Sequence, residues 1–352
     1  MRVWVARVTI RSRAYIDVYQ TLQLSPLPKI RRLPSMSNNA DSLKQQQEEQ
    51  NAAQARVPTI PLSELFYSIE GEGPHTGRPT LFVRTFGCNF QCRGFGNRGL
   101  APVEVDPTAE LAQVKTDVGC DTIYSWHPAY RKFSRQYTPR ELDAEIVRTL
   151  RNAISHDAVE GYAFMESTVI SLTGGEPMLH QKQFAHLICV DDSEGEEPTY
   201  IEKFGPTILI ETNGSVPLHQ TFLNAARMYP GILEFSISPK LSISGEPREK
   251  AIRAKVIADY FQVAPSSYVK FVSDGTDESL AEVASVLAEY NEEFVKRGMA
   301  PLGREKIWIM AEGATLEQQQ KSQRGVAEAA LRYGYSFSPR AHVWIWGNTV
   351  GT

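Results

Sequence analysis

The chain is poor in cysteine, with four in 352 residues. That is too few for a disulfide scaffold in a polypeptide of this length, and a reducing compartment suits them better. Long apolar runs are missing too. None approaches the ~20 residues that cross a bilayer, so no membrane is expected as a partner. Neither sign of charge dominates, since 37 Lys and Arg stand against 41 Asp and Glu for a net charge of −4. The overall field therefore favours no direct nucleic-acid partner. No Gly-x-Gly-x-x-Gly follows any candidate strand, which removes the dinucleotide-binding fingerprint. These exclusions leave a soluble, cytoplasmic protein, 42% apolar and 22% charged, able to bury one large core or two ordinary ones.

The first stretch, Met1–Val57, differs from the rest. It carries nine Lys and Arg against four Asp and Glu, and its second half includes Lys44-Gln45-Gln46-Gln47-Glu48-Glu49-Gln50. Such a segment buries too little apolar surface to offset chain entropy, so residues 1–57 are expected to be a disordered extension. The Arg-rich start (Arg2, Arg7, Arg11, Arg13) loosely resembles a transit peptide, and Met36 offers an alternative start of translation.

From Ile60 onward, short β-branched and aromatic runs alternate with polar or helical stretches. The runs are Leu81–Phe86, Val169–Leu172, Thr207–Ile210, Ile232–Ile237, Tyr268–Val272, Ile307–Met310 and His342–Trp346. Nearly continuous apolar runs of this length read as strands of a parallel sheet covered on both faces. Thr138-Pro139-Arg140-Glu141 is a capping box with Pro at the first helical position, opening a helix to about Ile154. Asp277–Arg297 and Leu316–Tyr333 have helical spacing, with Gly298 and Gly334 as stops. The expected fold is α/β, a partial (β/α) barrel like a TIM barrel, over residues 58–352. Insertions are expected at about 93–119 and 190–205.

The strand ends carry polar clusters, and in a parallel barrel those ends converge on one mouth. They include Gly87-Cys88, Thr173-Gly174-Gly175-Glu176-Pro177, Glu211-Thr212-Asn213-Gly214, Ser238-Pro239-Lys240, Ser273-Asp274-Gly275, Ala311-Glu312-Gly313 and Gly347-Asn348. Three of the four cysteines, Cys88, Cys92 and Cys120, fall within Gly87–Trp126. Three thiolates can hold three irons of a 4Fe–4S cluster and leave the fourth iron open to a ligand. Structural zinc is the competing reading, with His127 as the fourth ligand, although zinc usually takes ligands in closely spaced pairs. The remaining possibility is that the loop holds no metal. Cys189, in Ala185–Val190, reads as a small buried residue.

At these residues the chain resembles the radical S-adenosylmethionine (SAM) enzymes, and within them the 7-carboxy-7-deazaguanine synthase family. The resemblance runs through Glu64–Pro74, Gly77-Arg78-Pro79, Phe82-Val83-Arg84 and the cysteine loop. It continues in Cys120-Asp121-Thr122, the Gly-Gly-Glu-Pro segment, Glu211–Gly214, Ser238-Pro239-Lys240 and Trp346-Gly347-Asn348. The resemblance implies a radical SAM barrel in which Cys88, Cys92 and Cys120 ligate a 4Fe–4S cluster whose open iron SAM chelates. Gly119, Asp121, Gly174, Gly175, Glu176, Glu211, Ser238 and Lys240 would surround SAM, with the Glu176 carboxylate on its ammonium. The implied reaction turns 6-carboxy-tetrahydropterin into 7-carboxy-7-deazaguanine by ring contraction with loss of ammonia, in queuosine-type biosynthesis. Thr122 would ligate a Mg²⁺ that holds the substrate carboxylate, and Arg84 would clamp that carboxylate. Ile69, Glu70, Gly71, Glu72, Thr173 and Thr352 would contact the substrate. An electron donor such as flavodoxin and a homodimer are implied as partners.

The chain also departs from that pattern. The family's usual spacing is Cys-x3-Cys-x2-Cys, but Phe95 stands at the third position and the Cys-Asp-Thr arrives only at Cys120. Gly119 replaces an aromatic residue expected beside the adenine, a role open to Phe95. Glu70 stands where the family commonly has Gln, so hydrogen bonding to the pterin edge differs by one donor, and Ala311 replaces a common Pro. Two alternatives accompany this reading: another radical SAM enzyme, such as a glycyl-radical activating enzyme, and a non-catalytic metal-binding barrel.

Overall fold

Residues 58–154, 168–189, 197–347 and 349–352 are described by the computed structural model. The N-terminal extension, most of the acidic loop after Cys189 and Asn348 lie outside them. Nine strands form one sheet: β1 (Ile60–Ile69), β2 (Pro79–Thr85), β3 (Arg135–Tyr137), β4 (Val169–Gly174), β5 (Thr207–Thr212), β6 (Leu233–Ile237), β7 (Tyr268–Ser273), β8 (Ile307–Ala311) and β9 (Ser336–Ser338). Their order is β3-β1-β2-β4-β5-β6-β7-β8-β9. The pairs from β2–β4 through β8–β9 are parallel, while β1 runs antiparallel to both β2 and β3. This is the expected α/β architecture with a largely parallel sheet.

The helices are α1 (Pro139–Ala153), α2 (Gln181–Ile188), α3 (Tyr200–Phe204), α4 (Gln220–Met228), α5 (Arg248–Ala251), α6 (Ala254–Val263), α7 (Asp277–Lys296), α8 (Leu316–Tyr333) and α9 (Ala341–Trp346). None among the described residues is long and apolar enough to cross a membrane. The capping box foreseen for α1 is present, with Thr138 Oγ1 accepting from Glu141 N. Gly334 closes α8 in the left-handed conformation, as a residue without Cβ can. Leu142, Ile146 and Leu150 of α1 are fully buried, as are Leu280, Val283 and Val286 of α7. These apolar stripes join the helix-facing residues of β2, β4, β5 and β7 in one core.

The sheet's two ends meet through turns rather than through a further strand pair. The turn after β1 reaches β9, with Gly73 N donating to Ser338 Oγ at 2.8 Å and Ala341 N to Gly71 O at 2.9 Å. The arrangement is a barrel with one seam sewn by side chains and turns.

One expected strand is a helix. His342–Trp346 is β-branched and aromatic, but the edge beside β8 is already taken by the short β9. The segment coils instead into α9, burying Val343 and leaving Trp344, Ile345 and Trp346 exposed. In the other direction, β1, β3 and β9 were not foreseen as strands. β9 reads Ser-Phe-Ser and β3 reads Arg-Gln-Tyr, and neither has the apolar content of a buried strand.

Candidate active site

The Cys88 loop leaves the C-terminal end of β2 and is pinned from several directions. Glu246 Oε1 accepts from both Gln91 N and Cys92 N at 2.7 Å. Asn89 donates to Ser215 Oγ at 2.8 Å and accepts from Asn213 Nδ2 at 2.9 Å. Cys92 has φ 50°, a left-handed conformation that a non-glycine residue rarely adopts without such anchors.

The excursion from Arg93 to Gly119 returns to its own start. Gly119 N donates to Phe95 O at 2.7 Å, which brings Cys120 back beside Cys92. Across the mouth, Gly96 N donates to Glu312 Oε1 at 2.8 Å, and Arg98 pairs with Glu312 at 2.8 Å and Asp274 at 3.2 Å. Gln318 Nε2 donates to Asp117 O at 2.9 Å. The excursion is thus fastened to the ends of β7 and β8 on the far rim. A small second core beneath it joins Ala109 and Val114 to Ile123, Tyr124 and Tyr130.

The edge of β4 explains why glycine is needed there. A Cβ on Gly174 would stand 2.3 Å from Thr85 O, and one on Gly175 would stand 2.2 Å from Gly87 O and 2.9 Å from Cys88 Cβ. These glycines let β4 lie directly against the root of the cysteine loop. Glu176 completes the joint. It is fully buried, accepting from Thr212 Oγ1 and Asn213 N at 2.7 Å and Met178 N at 3.0 Å.

A cavity of about 580 Å³ opens inside the barrel. Eighteen of the nineteen site residues read from the sequence line it: Ile69, Glu70, Gly71, Glu72, Arg84, Cys88, Cys92, Gly119, Cys120, Asp121, Thr122, Thr173, Gly174, Gly175, Glu211, Ser238, Lys240 and Thr352. Glu176 does not line it; its oxygens are taken up between β4 and β5 as just described. Phe95 is on the wall, in a position to replace the missing aromatic. His127 is not, and its Nδ1 accepts from Ala129 N at 3.3 Å. Cys189 ends α2, half-buried, away from the cavity.

Because β1 is antiparallel, Ile69 pairs with Pro79 at the end of β2 opposite to the cysteine loop. The cavity is therefore lined from both ends of β2, with cysteines at one end and Glu70–Glu72 at the other. Between them stand Arg84, Glu211 and Lys270.

Burial raises all three cysteine thiols. Cys88 is pushed up to about 12 by burial and then by the Glu176 charge; Cys92 and Cys120 rise chiefly through burial too. Cys88 also feels Cys120, and Cys92 feels both of the others, so the thiols share one neighbourhood. They are neutral until a metal displaces their protons. Among the described residues no three His, Cys, Asp or Glu side chains converge on one point that could hold a single ion. A cluster spreads its thiolates over separate irons and does not ask for that convergence.

Several charges inside the cavity are paired. Glu72 binds Lys270 through Oε2 and Arg340 Nε through Oε1 at 3.0 Å; Arg340 Nη2 also reaches Asp121 at 2.6 Å. Burial would raise the Glu72 carboxyl, but the two cations hold it well below the usual carboxylate range. Arg84 Nε lies 2.8 Å from Glu64, which also accepts from Tyr124 OH at 2.9 Å. Arg84 lines the cavity, with its guanidinium carbon 5.8 Å from the Phe66 ring centre and 6.0 Å from that of Tyr124. Lys270, Arg340, His342, Glu64 and Glu246 are functional or supporting residues that the sequence reading missed. Lys270 did leave a signal, as a lysine inside an otherwise apolar strand.

Comparison with known proteins follows the same lines. No family model matches the chain. The 7-carboxy-7-deazaguanine synthase of Halobacterium salinarum is 27% identical over 306 residues, covering 84% of this chain and 93% of the relative. That of Pyrobaculum aerophilum is 26% identical over 296 residues, covering 84% of this chain and 98% of its own. The chain is a homologue of 7-carboxy-7-deazaguanine synthases. The crystal structure of QueE from Escherichia coli covers 84% of this chain and 99% of its own, with 18% identity and a TM-score of 0.49. The match spans 93% of the Halobacterium synthase and 98% of the Pyrobaculum one, so the departures noted above, Phe95 and the Arg93–Gly119 excursion, are changes within a homologous chain.

Proposed function

We propose that the chain is a radical SAM lyase, a 7-carboxy-7-deazaguanine synthase that converts 6-carboxy-tetrahydropterin to 7-carboxy-7-deazaguanine with loss of ammonia. The observation that carries this is the return of Cys120, through Gly119 N and Phe95 O, to a cavity wall shared with Cys88 and Cys92. Three soft thiol donors on one cavity wall fit a 4Fe–4S cluster with one open iron. When bound, the cluster and SAM supply hydrogen-atom abstraction, chemistry that belongs to the cofactors.

The chain's own work is positioning, charge neutralisation and exclusion of water. Gly119, Asp121, Gly174, Gly175, Glu211, Ser238 and Lys240 would surround SAM, and Glu176 would serve it indirectly by locking the ends of β4 and β5 together. Arg84, on the cavity wall, suits the substrate carboxylate, since a guanidinium grips such a group with two parallel bonds. Thr122 Oγ1, 3.4 Å from Cys120 Sγ, is a hard oxygen donor for a Mg²⁺ shared with that carboxylate, an ion that commonly takes few protein ligands. The Arg93–Gly119 excursion, fastened across the mouth by Arg98, screens the interior from solvent. A flavodoxin-type electron donor, a homodimer and a cytoplasmic location complete the reading.

The test is anaerobic reconstitution with iron and sulfide, followed by SAM, Mg²⁺, reductant and 6-carboxy-tetrahydropterin, with mass spectrometry of products. The 7-deazaguanine acid is expected. SAM cleavage without it would indicate a different radical SAM substrate, and iron uptake unaltered by Cys120→Ala would overturn the cluster assignment.

A further inference from the structure

Two carboxyls of one turn, Glu70 and Glu72, meet opposite fates in the cavity. Glu72 spends both oxygens on cations, Lys270 and Arg340. Glu70 has none. It is 3% exposed, its Oε1 accepts from Glu72 N at 3.1 Å, and its Oε2 has no partner although it is buried on the cavity wall. Its main chain is held on both sides, with Glu70 N donating to Arg78 O at 2.8 Å and Gly77 N donating to Glu70 O at 2.7 Å. The backbone is thereby fixed at this turn, and the Glu72 amide holds the carboxyl inward.

The surroundings of Glu70 are unfavourable to a charge. Glu211 of β5 and Glu72 add negative potential, Tyr268 of β7 is a neutral phenol, and Ser236 of β6 offers only a hydroxyl. Lys270 of β7 is the nearest cation, and Glu72 already engages it. His342 of α9 packs on Gly71, where an added Cβ would stand 2.0 Å from its Nδ1; burial lowers the ring, which is neutral at physiological pH and lends no charge. Burial, followed by the Glu211 charge, pushes the Glu70 carboxyl well above its usual range.

We propose that Glu70 is a specificity-determining residue that reads its ligand as a neutral carboxylic acid, donating from Oε2 to an acceptor atom of the substrate ring. The placement of the proton follows from the hydrogen bonds. Oε1, receiving the Glu72 amide, is the carbonyl-like oxygen, so the O–H is on Oε2, which points to no acceptor in the protein. Ser236 Oγ, buried on the same wall beside the Tyr268 phenol, is a second polar group within reach of a ligand. A ring carbonyl or imine nitrogen satisfies the pair, whereas an ionised carboxylate at Glu70 would repel the same atom. The donor lost when Glu stands where Gln is common is restored by the proton. The ligand class rests on the proposed function; the protonation state does not.

The test has two arms. Infrared difference spectra of the reconstituted protein, wild type minus Glu70→Gln, should show a protonated-carboxyl stretch at neutral pH that fades as alkali is added. In the second arm, 6-carboxy-tetrahydropterin is titrated against the wild type, Glu70→Gln and Glu70→Ala. Glu70→Gln, a permanent neutral donor, should bind at neutral pH within a few-fold of wild type and lack its alkaline weakening, while Glu70→Ala should lose about tenfold. Absence of the infrared band, or Glu70→Gln failing as badly as Glu70→Ala, overturns the proposal. If the band is present and no form binds the pterin, the substrate reading falls and the neutral acid stands.

Discussion

Removing Arg340 is the sharpest test of how the cavity is held together. The residue is 7% exposed, and its guanidinium contacts Glu72 at 3.0 Å, Asp121 at 2.6 Å, Gly313 O at 2.8 Å and, more distantly, His342 Nε2 at 3.5 Å. Breaking a buried ion pair from one side costs about 3–5 kcal/mol, because the abandoned charge remains in a low-dielectric setting. Two facts pull Arg340→Ala to the low end. Glu72 retains Lys270, and the Asp121 side chain is 34% exposed, so water screens part of its loss. A cost of about 3 kcal/mol follows, or a fall in melting temperature of about 6 °C for a unit of this size. Chemical denaturation and calorimetry measure it on the folded protein. Arg340→Lys should recover only part, since a single ammonium cannot span both carboxylates and the Gly313 carbonyl. Asp121 is next to Cys120, so iron loading should drop in the same order: wild type, Lys, Ala. A change below about 0.5 kcal/mol with full iron uptake would refute the view that this network fastens the cysteine loop to the far wall.

Three further outcomes can be checked. His342 is lowered to about 4 in the fold, by burial and then by the Arg340 charge, from an ordinary 6.5. The unfolded chain thus binds the extra proton first, stability falls as pH drops from 6.5 toward 4, and His342→Gln should flatten an acid slope of about 2 kcal/mol in urea titrations. Gly175→Ala drives a methyl into Gly87 O and Cys88 Cβ, so a loss of about 3 kcal/mol and of iron binding is expected, measured by denaturation and iron assay; wild-type loading would show that the backbone there yields. Arg98 is half exposed, so Arg98→Ala should cost less than about 1 kcal/mol overall yet speed hydrogen exchange across residues 94–119; unchanged exchange would mean that the other rim contacts suffice.

Much of this was legible because short apolar runs and strand-end motifs carry their own signals. Val169–Leu172 and Thr207–Ile210 need a sheet covered on both faces, and the sheet supplies it. The return of Cys120 was legible only as chemistry: three thiols make sense together, while the backbone bond that unites them, Gly119 to Phe95, leaves no trace in composition. Local reading failed where tertiary competition decided the outcome. His342–Trp346 has the residues of a strand and lost its place to a poorer strand-former that reached the β8 edge first along the chain. Arg340 and Glu246 were invisible for a related reason, since an isolated charge in a loop looks the same whether it is solvated or locked inside. The resemblance implies a SAM contact for Glu176, and composition gives no sign that its carboxylate also accepts from Thr212, Asn213 and Met178, because that depends on which way a carboxylate faces.

The fastening of the cysteine loop to the far wall also bears on how the protein is made. Chains emerge from the ribosome N-terminus first. Cys88, Cys92 and Cys120 are synthesised long before Asp274, Glu312 and Arg340, the residues that hold their loop from across the barrel. During that interval the thiols lack the burial that raises Cys88 to about 12, so their thiolate fraction and reactivity are higher than in the finished fold. The nascent chain is consequently the stage most open to oxidants and to stray metal ions, and oxygen during synthesis should depress the yield of loadable protein more than oxygen afterwards.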